Sequence, residues 1–269
     1  MRNFLMTVSC IVATLISGVL SSADAAVIDD FSDGNDTANP TWTHLNGLVA
    51  STGQVWDAST GQYHMTAPNN GFSQLGFVGS YVAESLSDVL VSADIVSFVD
   101  DPVAQGGPFA VAARLDGNNA FNTLKGYAYA YEPGSAGGNG EFALYRVVGA
   151  SLVDLNAIGV ENVDYFRKVT LDPTKDYTFT LSIVGSLLTG QVREVGGPIV
   201  AYQTAIDATY ASGSSGLFAY SQNPAPTTDV TWDNFQSLGV PEPATTLLLP
   251  LGIMGFTLLG RNYRSPCNS

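Results

Sequence analysis

The middle of the chain, residues 26–239, is built from short runs in which apolar and polar residues alternate. In Tyr177–Val184 the odd-numbered positions are Tyr, Phe, Leu and Ile, and all but the last of the even-numbered positions are Thr or Ser. A period of two places successive side chains on opposite faces of a β-strand, whereas a helix requires a period of 3.6. Similar runs predict strands at residues 89–99, 109–115, 142–148, 187–195, 199–204, 216–220 and 230–238.

Turn-forming residues separate these predicted strands. Clusters of Gly, Pro, Asn, Asp and Ser occupy residues 116–119, 133–140, 196–198 and 212–216, and these residue types favour turns. Short helical turns are predicted only at residues 162–166 and 207–211. About ten or more strands at this spacing predict an all-β fold, an antiparallel β-sandwich or barrel, with a jelly roll as the favoured form.

Cysteine content and charge exclude several classes of protein. The two cysteines, Cys10 and Cys267, lie in the N-terminal apolar stretch and in the extreme C-terminal tail. The segment between them therefore has no disulfide framework and no thiolate metal site, so a hydrophobic core must stabilise it. The net charge of −14 repels phosphate backbones and argues against nucleic-acid binding.

The order of motifs in residues 26–239 is similar to that of concanavalin A-like, or laminin-G-like, β-sandwiches. The segment opens with Asp29-Asp30-Phe31, has a tryptophan soon afterwards at Trp42, and closes on Val230-Thr231-Trp232-Asp233-Asn234-Phe235. The resemblance implies that the first and last strands lie in the same sheet. It indicates a fold and no particular ligand, because one sandwich can support many functions.

The N-terminal segment has the pattern of a secretory signal peptide. Arg2 precedes an apolar run over residues 4–20, which ends in the small-residue sequence Ala23-Asp24-Ala25. This pattern predicts a signal peptide over residues 1–25, cleaved after Ala25. An uncleaved membrane anchor is the alternative, although the run is short and contains serine and threonine.

The C-terminal segment, residues 240–269, has three parts in a fixed order. Val240, Pro241, Glu242 and Pro243 precede an apolar run over residues 244–260, and Arg261 and Arg264 follow it. As a helix this run would span about 25 Å, which is near the lower limit for crossing a bilayer. We therefore predict a transmembrane helix at 244–260, with the arginines on the cytoplasmic side.

This tail resembles the PEP-CTERM sorting domain. The resemblance implies recognition at the Pro-Glu-Pro motif by an exosortase-type membrane transpeptidase, with Arg261 and Arg264 as the stop. The protein is then expected to be exported to the cell surface or extracellular space, after transient anchoring in the inner membrane. The five residues after Arg264 depart from the usual pattern, and a plain single-pass anchor is the alternative.

The residues that carry catalysis in related folds do not form a recognisable pattern here. Sandwich glycosidases use closely spaced carboxylates on one strand, and none of the glutamates before the tail has that spacing. The two histidines, His44 and His64, have no metal-ligand partners at suitable spacing and are expected to be structural. We predict a protein without enzymatic activity. The alternative is a polysaccharide-degrading glycosidase or lyase that uses an acid such as Glu132 or Glu141.

Three tyrosines are the strongest candidates for ligand binding. Tyr127, Tyr129 and Tyr131 alternate with alanine, so their rings share one face of a strand and could stack on sugar rings. The alternative is that they belong to the core. Asp30 and Asp233 are weak calcium candidates if the first and last strands pair; no other cofactor is predicted. The expected function is therefore an exported, carbohydrate-binding surface or matrix protein whose partner is an extracellular polysaccharide.

Overall fold

The computed structural model describes residues 26–45, 53–68, 76–99, 108–120, 122–134, 140–149, 151–155, 168–221 and 227–241. These residues form strands and connecting turns, with no helix among them. In chain order the strands are β1 (Val27–Asp29), β2 (Trp42–His44), β3 (Val55–Asp57), β4 (Tyr63–Ala67), β5 (Gly76–Leu86), β6 (Val89–Phe98), β7 (Phe109–Leu115), β8 (Lys125–Glu132), β9 (Glu141–Val148), β10 (Ser151–Asp154), β11 (Tyr177–Val184), β12 (Leu187–Glu194), β13 (Ile199–Ile206), β14 (Gly213–Ser221) and β15 (Thr228–Gly239).

The strands form two antiparallel sheets that pack face to face. The eight-stranded sheet has the order β13-β12-β11-β6-β15-β4-β3, with β1 also paired to β15. The seven-stranded sheet has the order β10-β9-β8-β7-β14-β5-β2. The predicted all-β sandwich is confirmed. The first and last strands lie in the same sheet, as the resemblance implied, and they pair directly, with Asp29 opposite Phe235.

The two sheets differ in how their outer faces are covered. On β11 the apolar positions are buried between the sheets, and Thr178, Thr180 and Ser182 face outward at half-buried positions. All seven positions of β7 are buried, and the outer face of the seven-stranded sheet carries a second cluster of buried apolar side chains, which includes Ala110 and Ala112 of β7. Apolar residues on both faces are expected of a sheet buried on both sides.

Residues 207–211 are not helical, contrary to the sequence-based expectation. Asp207 accepts hydrogen bonds from the Tyr127 hydroxyl at 2.7 Å and from the Thr209 backbone N–H at 2.8 Å. Arg146 Nη1 lies 2.8 Å from the other carboxylate oxygen. These bonds fix the segment against the end of the sandwich in an irregular conformation, which satisfies its polar groups without a helix.

Most of the two terminal segments lies outside the described residues. Three predictions lie outside the described residues: the signal peptide at 1–25, the transmembrane helix at 244–260 and, in the middle of the chain, the helical turn at 162–166. At the C-terminal boundary, the Val240 N–H donates to the Asp88 carbonyl at 2.9 Å, and Pro241 is exposed. Within the described part of the chain, the structure contains no helix that could span a membrane.

Candidate functional site

An apolar pocket lies on the outer face of the seven-stranded sheet, and small side chains form its floor. On β8, Ala128 and Ala130 point away from the core because the tyrosines between them point into it. The register places Ala110 of β7 directly opposite Ala130. Since an alanine side chain is a single methyl group, larger side chains on the neighbouring strands rise above this floor on both sides.

Aromatic rings form the walls of the pocket. Phe77 of β5 and Phe218 of β14 lie on one side of the floor, with ring centroids 5.6 Å apart and planes tilted by 59°. Tyr145 of β9 lies on the other side, directly opposite Ala128. The space within the pocket and in front of its open mouth is about 310 Å³, and the enclosed part has room for a group about the size of a methyl group or a water molecule. Its lining is Phe77, Pro108, Ala110, Ala128, Ala130, Tyr145, Leu152, Phe218 and Tyr220.

The Tyr145 hydroxyl brings a polar group to the edge of this apolar pocket. It donates a hydrogen bond of 2.5 Å to Oε1 of Glu132. Burial raises the pKa of Tyr145, and the negative charge of Glu132 raises it further. The phenol is therefore neutral at physiological pH, and its bond orients the Glu132 carboxylate beside the pocket.

A second carboxylate lies next to Glu132. Glu141 of β9 is directly opposite Glu132 of β8 in the antiparallel register, and directly opposed residues share one face of the sheet. Glycosidases of this fold are expected to have closely spaced carboxylates on one strand, whereas these two acids lie on different strands. Their proximity is therefore not visible in the sequence. Only the strand register reveals it. Chemically, such a pair can hydrogen-bond neighbouring sugar hydroxyls.

The tyrosines proposed for ligand binding lie in the core. Tyr127, Tyr129 and Tyr131 are each 0% exposed. Tyr131 accepts a hydrogen bond from the Leu171 N–H at 3.1 Å, and the ring of Tyr129 packs on Gly190 of the opposite sheet. The three rings therefore do not form an accessible stacking surface, and their position fits the alternative that they are core residues.

The two calcium candidates, Asp30 and Asp233, each accept hydrogen bonds from neighbouring residues. Asp30 accepts hydrogen bonds from Ser32 at 2.7 and 3.1 Å, and Asp233 accepts one from the Asn234 N–H at 2.7 Å. Among the described residues, no group of three or more His, Cys, Asp and Glu side chains is arranged to hold a metal ion. Calcium binding at Asp30 and Asp233 stays a prediction.

Both histidines have structural partners at one edge of the sandwich. His44 stacks on Trp56, with ring centroids 4.7 Å apart and planes within 4°, and its Nε2 lies 2.7 Å from Asp36 Oδ2. His64 Nε2 lies 2.9 Å from Asp229 Oδ1. Of the predicted sorting residues, Val240 and Pro241 are described, and Glu242, Pro243, Arg261 and Arg264 lie outside the described residues.

Comparison with known proteins shows similarity at the level of structure. No protein-family model matches the chain, and no curated protein matches its sequence. The chain is similar to the CBM2 module of the evolved Dit of Lactobacillus casei BL23 phage J-1, with a TM-score of 0.56 and 11% identity over 81% of this chain and 97% of that one. For the lectin UEA-II, solved in complex with galactose, the TM-score is 0.53 and the identity 12%, over 81% and 100% of the two chains.

A glycoside hydrolase is also among the similar structures. The GH43 protein BlXynB of Bacillus licheniformis gives a TM-score of 0.52 and 10% identity, over 80% of this chain and 39% of that chain. At such identities the likeness concerns the fold alone. This protein therefore has the two-sheet β-sandwich fold that is found in lectins and carbohydrate-binding modules and that also occurs within a larger hydrolase chain.

Proposed function

We propose that this protein is an exported, non-catalytic protein that binds a carbohydrate in the pocket on the outer face of the seven-stranded sheet. The observation that carries the proposal is the combination of aromatic walls with the hydrogen-bonded Tyr145–Glu132 pair at one edge. The lectin and the carbohydrate-binding module among the similar structures support it.

Each part of the pocket has a counterpart in sugar chemistry. The C–H face of a pyranose ring packs on an aromatic face, and the half-buried rings of Tyr145 and Tyr220 offer such surfaces. The Glu132 carboxylate accepts hydrogen bonds from sugar hydroxyls, and charged acceptors form stronger bonds than neutral ones. An apolar cleft with a few placed polar groups at its edge is the usual composition of a small-ligand site.

Removal of one wall of the pocket tests the proposal. Tyr220→Ala in the full chain is expected to lower the affinity for a bound polysaccharide by about tenfold, because it removes one stacking ring. Tyr202→Ala is the matched control, since Tyr202 is a half-buried tyrosine on the outer face of the eight-stranded sheet. Affinity electrophoresis in a panel of soluble polysaccharides measures both variants. Equal affinities for the wild type and Tyr220→Ala would refute this site.

The proposed site uses no metal ion. Chelation with EDTA is therefore expected to leave the polysaccharide affinity unchanged. A loss of affinity that calcium restores would instead support the prediction of a calcium site at Asp30 and Asp233, which Asp30→Asn would then abolish.

We also propose that the terminal segments direct export and processing. The support comes from the signal-peptide pattern of residues 1–25 and the PEP-CTERM-like order of motifs in residues 240–269. Mass spectrometry of the protein recovered from outside the cell is expected to find Ala26 at the N-terminus and no peptide from the apolar run 244–260. A protein that keeps this run and stays in the membrane fraction would support the single-pass anchor instead.

A second function, polysaccharide cleavage, is favoured by one observation. Glu132 and Glu141 face each other across β8 and β9 beside the pocket, and paired carboxylates are the chemical basis of glycoside hydrolysis. Incubation with a broad polysaccharide panel tests it by the release of reducing ends. Cleavage that Glu141→Gln abolishes without loss of binding would establish the enzyme, and inertness across the panel would exclude it.

A further inference from the structure

The described residues that line the interior of the pocket offer a ligand no hydrogen-bonding group. Its surface consists of carbon atoms, with no polar area exposed. The backbone groups of the floor strands are already paired, because β7, β8 and β9 form continuous ladders. A sugar hydroxyl placed against Ala128 or Ala130 would lose its bonds to water without gaining new ones, whereas a methyl group would lose none.

The edge of the pocket is negatively charged. Tyr145 lies between two acids: Glu132 accepts its hydroxyl proton in a hydrogen bond, and Asp154 of β10 is directly opposite it in the register. Lys168 pairs with Glu141 in an isolated antiparallel bridge, on the side of Glu141 that faces away from Glu132. The whole chain has a net charge of −14. A carboxylate or sulfate on a ligand seated at Tyr145 would therefore be repelled.

From the apolar floor and the acidic edge we infer that the pocket selects neutral sugars that carry a methyl-terminated group. This group is the C6 methyl of a 6-deoxyhexose or the methyl of an O-acetyl ester, seated on Ala128 and Ala130 between the aromatic rings. The sugar hydroxyls then point to the edge, where Glu132 accepts hydrogen bonds from them. The inference rests on the proposed carbohydrate-binding function and specifies its ligand class.

Sugars that differ only at C6 provide the test. D-Fucose, D-galactose and D-galacturonic acid carry a methyl, a hydroxymethyl and a carboxylate group on the same ring, and equivalent series exist for the gluco and manno configurations. Titration of the full chain is expected to show affinity about tenfold higher for the methyl member than for the hydroxymethyl member of the series that binds, with the uronic acid weakest. Glucomannan before and after removal of its acetyl groups tests the ester in the same way.

The outcomes separate this inference from the function on which it rests. Equal binding of the methyl and hydroxymethyl sugars together with equal binding of acetylated and deacetylated glucomannan would overturn the inference alone, and so would a preference for the uronic acid. Absence of binding to every sugar and polysaccharide would overturn the proposed function as well.

A polar substitution in the floor provides a second readout. Ala128→Ser adds one hydroxyl to the floor at nearly constant volume, so the ratio of methyl to hydroxymethyl affinity is expected to fall towards one. Ala143→Ser is the matched control, because Ala143 lies on the same face opposite Ala130 but does not line the pocket. A ratio that is unchanged in Ala128→Ser, or that falls equally in both variants, would contradict the assigned seat of the methyl group.

Discussion

The two faces of strand β8 have opposite roles although their residues alternate along one short sequence. The face with Tyr127, Tyr129 and Tyr131 is fully buried between the sheets. The face with Ala128 and Ala130 forms the floor of the candidate site. On this strand, the tyrosines that could stack on sugars are thus in the core, and the alanines shape the pocket. The pocket therefore depends on the difference in size between the alanines and the neighbouring aromatic side chains as much as on their chemistry.

The largest expected effect is the loss of a core tyrosine. Tyr129→Ala is expected to lower the free energy of unfolding by about 3–5 kcal/mol, as for other buried aromatic residues truncated to alanine. Tyr145→Ala on the other face removes a half-buried ring and is expected to lower it by less. Urea denaturation measures the free energy of unfolding of both variants. Equal losses in the two variants would contradict the conclusion that the inner face is more deeply buried than the outer face.

The hydroxyl of Tyr127 is expected to contribute next. It donates to the Asp207 carboxylate at 2.7 Å, and a bond to a charged group is worth about 1.5–3 kcal/mol. Burial raises the pKa of Asp207, but hydrogen bonds from Thr209 and Tyr127 and the charge of Arg146 outweigh burial, so the net pKa is lowered. Tyr127→Phe should therefore destabilise the protein at neutral pH.

The same bond predicts a pH dependence with a definite sign. Because the folded-state pKa of Asp207 is lowered, its stabilising contribution is present above the pKa of the unfolded chain and is lost as pH falls through the folded-state value. The difference in stability between the wild type and Tyr127→Phe should therefore shrink in acid. Urea denaturation across pH 7 to about pH 3 checks this, and a difference that is constant with pH would contradict the assigned partner.

Gly190 tests how closely the inner face of β8 meets the opposite sheet. A Cβ added to Gly190 would lie 2.4 Å from Cδ2 of Tyr129, so Gly190→Ala is expected to destabilise the protein by about 1–3 kcal/mol. In the Tyr129→Ala background the same substitution should have much less effect. A double-mutant cycle in urea measures this coupling, and strictly additive losses would refute the contact.

The smallest effect, and one of opposite sign, is expected from removal of the Tyr129 hydroxyl. Among the described residues this buried oxygen has no hydrogen-bond partner. Because a buried hydroxyl without a partner costs free energy, Tyr129→Phe is expected to raise the free energy of unfolding by about 1 kcal/mol. The comparison with Tyr127→Phe is direct, since both remove one phenolic oxygen from the same face. A loss as large as that of Tyr127→Phe would show that the Tyr129 hydroxyl is bonded.

The sequence predicted the sheets better than the site, for a physical reason. In Tyr177–Val184 one set of positions is apolar and the other is Thr or Ser except at its last position, so alternation indicates both the strand and its buried face. In β8 both sets can be buried, because alanine is small and apolar and tyrosine is amphipathic. Alternation there shows which residues share a face but does not show which face lies inside.

Contacts between strands were the other part that the sequence did not reveal. The pairing of Glu132 with Glu141 depends on the register of β8 and β9, and a shift of one residue in that register would place different residues opposite each other. The irregular segment at 207–211 depends on Tyr127 and Arg146, which lie on strands far away in the sequence. Local propensity suggested a helical turn, and these long-range hydrogen bonds override it.

The most direct test of the account places one substitution on each face of β8. Titration of the full chain with its polysaccharide ligand compares Ala130→Leu, which fills the space above the floor, with Tyr129→Phe, which alters the core. The account predicts that Ala130→Leu lowers the affinity by about tenfold or more while the protein stays folded, and that Tyr129→Phe binds like the wild type. Unchanged binding by a folded Ala130→Leu variant, together with weakened binding by Tyr129→Phe, would contradict it.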